Sequence, residues 1–382
     1  METLNIALVS TNTYSTPPGG FTGGAYGGEV SIWHLAQSLG ELGHRVTLFA
    51  TPSSLTPPGG DLYYMRSSYG TSTPWFWECE QEIYDRHRDK ILRADVIQDF
   101  SHTKKVAENL YNRDRRTNVV STLIGSVWNH PVPPYNVIVW TEQMRQMGLH
   151  GWTGYEQSPW ENAPWNTKTG QLKDAHVVNG GTDTDFYAFE PNKQDYFLWY
   201  SRFHPSKGYH IAIDLAKRTG IPLVLMGDHP KDAPSPDHRA GALEAIELAK
   251  GADNIRFEWL PRGAATRGEM KRKWIQGAKA LLYTIDFQEC FGLVVVETLS
   301  CGTPVITTNR GAMPELIRHG KTGFVCNLEN GLNDFILATS NADKIRPEDC
   351  RRDAVERFDR KVMARAYVEE YRKVMNGAVW GV

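Results

Sequence analysis

The 382-residue chain has little cysteine. Its 5 cysteines, Cys79, Cys290, Cys301, Cys326 and Cys350, are odd in number and include no C-x-x-C pair. That argues against a disulfide framework and a structural zinc site, and it suits a reducing compartment such as the cytoplasm. Long apolar runs are missing as well. No stretch approaches the roughly 18 apolar residues of a membrane span, so no transmembrane segment is expected. Contact with a membrane surface is left open. The first residues, METLNIALVS, carry no basic lead before a long apolar core and read as a strand, not a signal peptide. A charge excess of either sign is also absent: 42 Lys and Arg face 44 Asp and Glu, for a formal net charge of -2. A broad footprint for nucleic acid is therefore not expected. The densest cationic run, Lys271-Arg272-Lys273, reads as a solvated helix face.

The chain is long enough for two substantial cores. Leu4 to Ser10 reads as a buried strand. A glycine- and proline-rich loop follows, then an amphipathic helix from Glu29 to Leu42 with Ile32, Leu35, Ala36, Leu39 and Leu42 on one side, then a strand from His44 to Ala50. This strand-loop-helix-strand unit is the start of a parallel sheet covered by helices. The rhythm continues with gaps to a strand at Ala175 to Val178. It restarts at Tyr196 to Tyr200 and runs through alternating helices and strands to a short helix at Met313 to Arg318. The tail, from about Asp353 to Met375, reads as a charged helix whose buried face holds Val355, Phe358, Val362, Ala366 and Val374. These two runs predict an α/β chain with domains at 1–190 and 191–352 and a terminal helical segment at 353–382.

Four stretches have the chemistry of a ligand site. STPPGGFTGGAYGGEV ends in Gly27-Gly28 just before the first helix, where free N–H groups can receive a phosphate or sugar oxygen. From spacing alone, it serves equally well as a surface loop. It is neither the dinucleotide fingerprint nor a P-loop. In ECFGLVVVE, Gly292 stands at the amino end of a helix, so the amides of Gly292 and Leu293 can face an anion. Glu297 lies one turn inside that helix, where an unpaired carboxylate is costly to bury, and a pair of ligand hydroxyls would satisfy it. Glu289 lies at the rim of the same turn. In SRFHPSKG, Arg202 offers a rigid fork and Lys207 a point charge across a Pro turn, a combination suited to a diphosphate. Finally, Gly311-Ala312-Met313-Pro314-Glu315 places an acid where it could pair with a cation.

Taken together, these residues resemble the large retaining glycosyltransferase family of the GT-B fold that includes glycogen and sucrose synthases and bacterial lipid and polysaccharide glycosyltransferases (glycosyltransferase family 4-like, group 1). Glu289 and Glu297 are separated by seven residues, as the family's two acids are, and Cys301-Gly302-Thr303-Pro304-Val305 follows in the family's manner. Arg202 with Lys207-Gly208, Met226-Gly227-Asp228 and Gly27-Gly28 match further motifs, as do the 311–315 element, with Ala312 replacing one glycine, and Asn179-Gly180-Gly181-Thr182-Asp183, with one extra residue. The resemblance implies two Rossmann-like parallel-sheet domains facing a cleft and a last helix that crosses back to the first domain. It implies a nucleotide-sugar co-substrate, with UDP-sugar favoured over GDP- or ADP-sugar, no metal, and a sugar or glycoconjugate acceptor. Arg202 and Lys207 would neutralise the diphosphate and Glu289 would touch the transferred sugar. Glu297 would hold the ribose, and Gly27, Gly28, Gly227, Gly292 and Leu293 would line the donor site. The chain departs from the family at Ile124, where a His is usual. His102 and Trp128 are candidate acceptor or sugar contacts. A disaccharide or sugar-phosphate synthase, or a sugar-nucleotide-binding protein with little transfer activity, is the competing reading.

Overall fold

The computed structural model describes residues 2–17, 27–66, 74–124, 136–150, 172–233, 235–261 and 264–381. The first half forms β1 (Asn5–Val9), α1 (Gly27–Glu41), β2 (Arg45–Ala50), β3 (Asp61–Tyr64), α2 (Pro74–Ile91), β4 (Val96–Asp99), α3 (Lys105–Asn112), β5 (Val119–Leu123), β6 (Val137–Val139), α4 (Glu142–His150) and β7 (His176–Val177). The second half forms β8 (Phe197–Tyr200), α5 (Tyr209–Thr219), β9 (Leu223–Gly227), α6 (Pro236–Ala249), β10 (Ile255–Trp259), α7 (Ala264–Gly277), β11 (Ala280–Tyr283), α8 (Leu293–Ser300), β12 (Val305–Thr308), α9 (Met313–Leu316), β13 (Gly323–Cys326) and α10 (Asn333–Ser340). Two last helices follow, α11 (Pro347–Phe358) and α12 (Arg360–Met375).

The strands form two separate sheets, ordered β3-β2-β1-β4-β5-β6-β7 and β10-β9-β8-β11-β12-β13. Every pairing in them is parallel. Helices cover both faces of such sheets, so the central strands are apolar throughout: β1 from Ile6 to Val9 and all of β11 are buried. The apolar side expected for α1 is the buried one, with Ile32, Leu35, Ala36 and Leu39 fully enclosed. In each sheet the chain reverses its direction of growth once, between β1 and β4 and between β8 and β11. Loops diverge at the carboxyl ends of such strand pairs and leave a crevice between them.

The tail differs from the single helix expected over 353–375. Asp359 is extended (φ -65°, ψ 140°), ends α11, and caps α12 by accepting from the Lys361 amide at 2.8 Å. The break has a physical cause, because at this point the chain pairs with the segment that left the first sheet. Thr182 N–H donates to the Phe358 carbonyl and Arg360 N–H to the Thr182 carbonyl, each at 2.9 Å. The break also moves the buried face. Val355 is exposed, and the enclosed residues of α12 are Met363, Ala364, Tyr367, Val368, Tyr371 and Val374. Those side chains pack against the first domain. The Tyr367 hydroxyl meets Thr122 Oγ1 at 3.1 Å and accepts from Trp140 Nε1 at 3.2 Å, and Tyr371 donates to Gln98 Oε1 at 3.2 Å.

Arg360 is buried at this crossing. It donates to Ser38 Oγ at 2.9 Å, Glu41 Oε2 at 2.7 Å and Asp183 Oδ2 at 3.2 Å, and so ties α12 to α1 and to the outgoing segment. Arg360→Ala leaves these acceptors without their cation. The expected result in urea denaturation is a loss of about 3 kcal/mol, and a change below about 0.5 kcal/mol would reject the clamp.

Glu29, in the first turn of α1, is only 2% exposed and accepts from Thr11 Oγ1 at 2.6 Å. Burial raises its pKa from 4.5 to about 7, against the lowering effect of the Thr11 hydroxyl and the backbone amide. A carboxyl whose folded pKa exceeds its unfolded value takes up protons on folding, so its contribution to stability falls as pH rises between about 4.5 and 7. The fall across that window is about 3 kcal/mol. Glu29→Gln should therefore show a flatter stability profile from pH 5 to 7 than the parent chain in thermal or urea unfolding. Parallel profiles would reject the assignment.

Candidate active site

The loops at the direction change of the second sheet hold the polar residues that the sequence singles out. Beyond β8 the chain turns through Arg202 and a short 3₁₀ turn, Pro205–Lys207, and Gly208 (φ 72°) then starts α5. Beyond β11 it passes Glu289 and reaches Gly292 (φ 84°), which starts α8. The positive φ at Gly292 lets the chain enter the helix directly from the turn that holds Glu289, a conformation that glycine adopts without strain.

Lys207 and Glu289 meet in this crevice. Lys207 Nζ donates to Glu289 Oε2 at 2.8 Å, and the Tyr283 hydroxyl donates to the same oxygen at 2.7 Å. Their side chains are 11% and 17% exposed, so the pair lies at the wall of the crevice and not in open water. Burial pushes the Glu289 carboxyl toward its neutral form. The charge and hydrogen bond of Lys207, the Tyr283 hydroxyl and the charge of Arg202 outweigh burial and hold its pKa below the usual range. Burial lowers the Lys207 pKa, Glu289 opposes that, and Arg202 adds to the lowering. Lys207 Nζ also lies 4.2 Å from the centre of the Phe287 ring. Arg202, itself exposed, is thus electrostatically linked to both members of the pair.

Glu297 lies on α8 and is 3% exposed. It is not bare. The Tyr187 hydroxyl donates to Oε1 at 2.9 Å, and Lys271 Nζ lies 2.5 Å from Oε2. This corrects the reading of 271–273 as a solvated face. Lys273 is exposed, and Arg272 lies against Phe186 at 5.0 Å, but the Lys271 side chain is only 16% exposed. The sequence contains a signal for this: Lys271 precedes the buried Ile275 by four residues and therefore shares its helix face. Tyr187 and Tyr283 carry no comparable sequence mark.

The first sheet brings its own direction change to the same place. A Cβ on Gly27 would lie 2.5 Å from Leu293 Cδ1, and one on Gly28 would lie 2.6 Å from Ile124 Cδ1. The amino end of α1 therefore packs on the amino end of α8, with the apolar Ile124 beside it. Thr141 Oγ1 donates to the Cys290 carbonyl at 2.7 Å, next to Glu289. His102, beyond β4, pairs through Nε2 with Thr13 Oγ1 at 2.6 Å, beyond β1.

Other expected positions have different surroundings. The space at Gly227 is taken by the Phe203 ring and the Ser201 carbonyl, which is a packing reason for glycine there. The Glu315 carboxylate accepts from the backbone amides of Glu142 and Gln143 at 3.2 and 3.3 Å, and so meets the positive end of α4. Trp128 and most of the first glycine loop lie outside the described residues. Among the described residues, no group of three or more His, Cys, Asp or Glu could hold a metal ion, no helix is long and apolar enough to cross a membrane, and all 5 cysteines are buried and unpaired.

Residues 183–331 match the family described as Glycosyl transferases group 1. A sucrose synthase of Solanum tuberosum is 35% identical over 105 residues, which is 27% of this chain and 13% of that protein's length. Among solved structures, AviGT4, a glycosyltransferase involved in avilamycin A biosynthesis, is 22% identical with a TM-score of 0.69 over 99% of both chains. Anabaena HepE, solved in complex with UDP-glucose, is 17% identical with a TM-score of 0.63, over 97% of this chain and all of that one. At these identities the two structures establish the fold alone. The chain has the two-sheet GT-B architecture; within it residues 183–331 match the glycosyl transferases group 1 model, and 105 residues are similar to a sucrose synthase.

Proposed function

We propose that the chain is a retaining glycosyltransferase that needs no metal ion and moves a sugar from a nucleoside diphosphate sugar, with UDP favoured, to a hydroxyl of a small sugar or glycoconjugate. One observation carries this reading: at a single sheet crevice, Arg202 and Lys207 converge with Glu289 and with the amino end of α8, while Glu297 lies one turn inside that helix. Two cations and a helix amino end suit a diphosphate. A carboxylate beyond them suits hydroxyls. The relation to sucrose synthase and the fold shared with a UDP-glucose-binding protein support a nucleotide-sugar donor.

In the proposed reaction the bond between the sugar's anomeric carbon and the phosphate oxygen breaks. A bond to the acceptor oxygen forms on the same face, and the acceptor proton passes to the leaving phosphate. Charge builds on the leaving diphosphate. Arg202, Lys207 and the amides at Gly292 and Leu293 stabilise it, in the place where a divalent ion would otherwise act. Glu289 is held ionised by Lys207 and Tyr283 at the rim, where it can face the sugar. Glu297 holds the ribose hydroxyls. Gly27 and Gly28 close the donor side, and His102 with Thr13 lies on the acceptor side of the cleft. Five buried thiols suit a reducing cytoplasm. A disaccharide or sugar-phosphate synthase would use the same donor geometry. Ile124, packed beside Gly28, favours a third reading, a binder with little transfer activity, because it places an alkyl group where a polar sugar contact is usual.

Calorimetric titration with UDP, GDP and ADP, with and without EDTA, tests the donor site. One base should bind saturably and independently of EDTA. Failure of all three removes the donor reading. Nucleotide release that rises only when acceptor is added separates the transferase from the binder. Lys207→Met should cut turnover about a hundredfold in a folded protein, and normal turnover would rule out its role on the diphosphate.

A further inference from the structure

The Glu297 carboxylate has an unusual environment. It is enclosed on α8 yet keeps an oxygen without a well-directed hydrogen bond. Tyr187 satisfies Oε1 at 2.9 Å. Lys271 Nζ reaches within 2.5 Å of Oε2, but Oε2 accepts no aligned hydrogen bond from any described group. The two groups form an enclosed ion pair, and Oε2 is shielded from solvent by it. Lys271 is itself held in place, between the rings of Tyr187 and Tyr200 at 5.4 and 5.2 Å. Lys271 from α7 and Tyr187 from the segment between the sheets thus meet the carboxylate, and Tyr200 from β8 packs against Lys271.

A purely structural account is weak here. A buried ion pair is no more stabilising than well-packed apolar residues of the same volume, so stability alone gives no reason for a lysine at this position. A carboxylate that must be held in one orientation inside a protein does give one. We propose that Lys271 is a positioning residue that fixes the orientation in which Glu297 meets the ribose hydroxyls of the donor, with Tyr187 fixing the second oxygen. The proposal rests on the reading of Glu297 as the ribose acid. Lys271 touches no reacting atom. It acts through Glu297, and its effect is confined to the hydroxyl-bearing part of the ligand.

The test compares UDP, 2′,3′-dideoxy-UDP and inorganic pyrophosphate by calorimetry on the full chain and on Lys271→Met and Lys271→Arg. The parent chain should prefer UDP over the dideoxy compound by about tenfold or more, the effect of hydrogen bonds to a charged group. In Lys271→Met that preference should fall to about twofold or less while pyrophosphate affinity stays within about twofold, and Lys271→Arg should restore part of the preference. A folded Lys271→Met that keeps the full preference overturns the proposal. So does one that binds UDP more tightly, because Lys271 would then be occupying the hydroxyls' place. Should Lys271→Met not fold, Lys271→Gln keeps most of the stem and must show the same loss of preference. A parent chain that binds UDP without distinguishing the dideoxy compound overturns the ribose reading itself. That failure appears before any variant is made.

Discussion

Two chain segments run between the sheets, and a parallel bridge joins them. Thr182 exchanges backbone hydrogen bonds with Phe358 and Arg360, and Arg360 extends the junction to Ser38, Glu41 and Asp183. Everything in the cleft depends on this constraint. It fixes where α12 lies on the first sheet, and thereby holds the direction change of that sheet opposite the direction change of the other. The interface is polar at the bridge and apolar beyond it, where Tyr367 and Tyr371 are fully enclosed and each hydroxyl still finds a partner. An unpaired hydroxyl at that depth would destabilise the junction that it now secures.

The site repeats one electrostatic solution. Glu297 is enclosed and Glu289 partly so, and each has a lysine from a different part of the second domain: Lys207 for Glu289 and Lys271 for Glu297. A tyrosine hydroxyl completes each pair, Tyr283 in one and Tyr187 in the other. The low local dielectric strengthens these interactions, so both carboxylates are held in place by a cation and a hydroxyl in the ligand-free protein. Such preorganisation is what electrostatic catalysis needs, since groups that are already oriented do not have to reorganise as charge develops.

Much of this was legible in the sequence. Buried parallel strands are contiguous apolar runs, so β1, β9 and β11 stand out, and the apolar stripe on α1 is unbroken. Arg202, Lys207 and Glu289 were singled out by their charge around the turns of SRFHPSKG and ECFGLVVVE, and the fold brings Lys207 and Glu289 into contact. Other features were hidden by their own chemistry. Lys271 lies in a run of three cations whose average is solvated, and only its spacing to Ile275 marks it as inward. The break at Asp359 falls in a charged stretch that reads as continuous helix, because the bridge that forces it comes from a segment 177 residues earlier (359 less 182). β3 is short and half exposed, β13 partly so, and α4 begins with polar residues, so none presents a strong periodic signal.

The wall of the cleft near Glu289 has a further property. Thr141 holds the Cys290 carbonyl, and Glu315 receives the first amides of α4, so the turn that carries Glu289 is stabilised from the opposite domain. If the halves part on this side, those bonds break together and the turn loses its brace. On the proposed reaction, an open cleft that admits water is then also one in which the acid is least well placed. Opening the halves on this side and dismantling the turn of Glu289 are then one event, because the same bonds hold both.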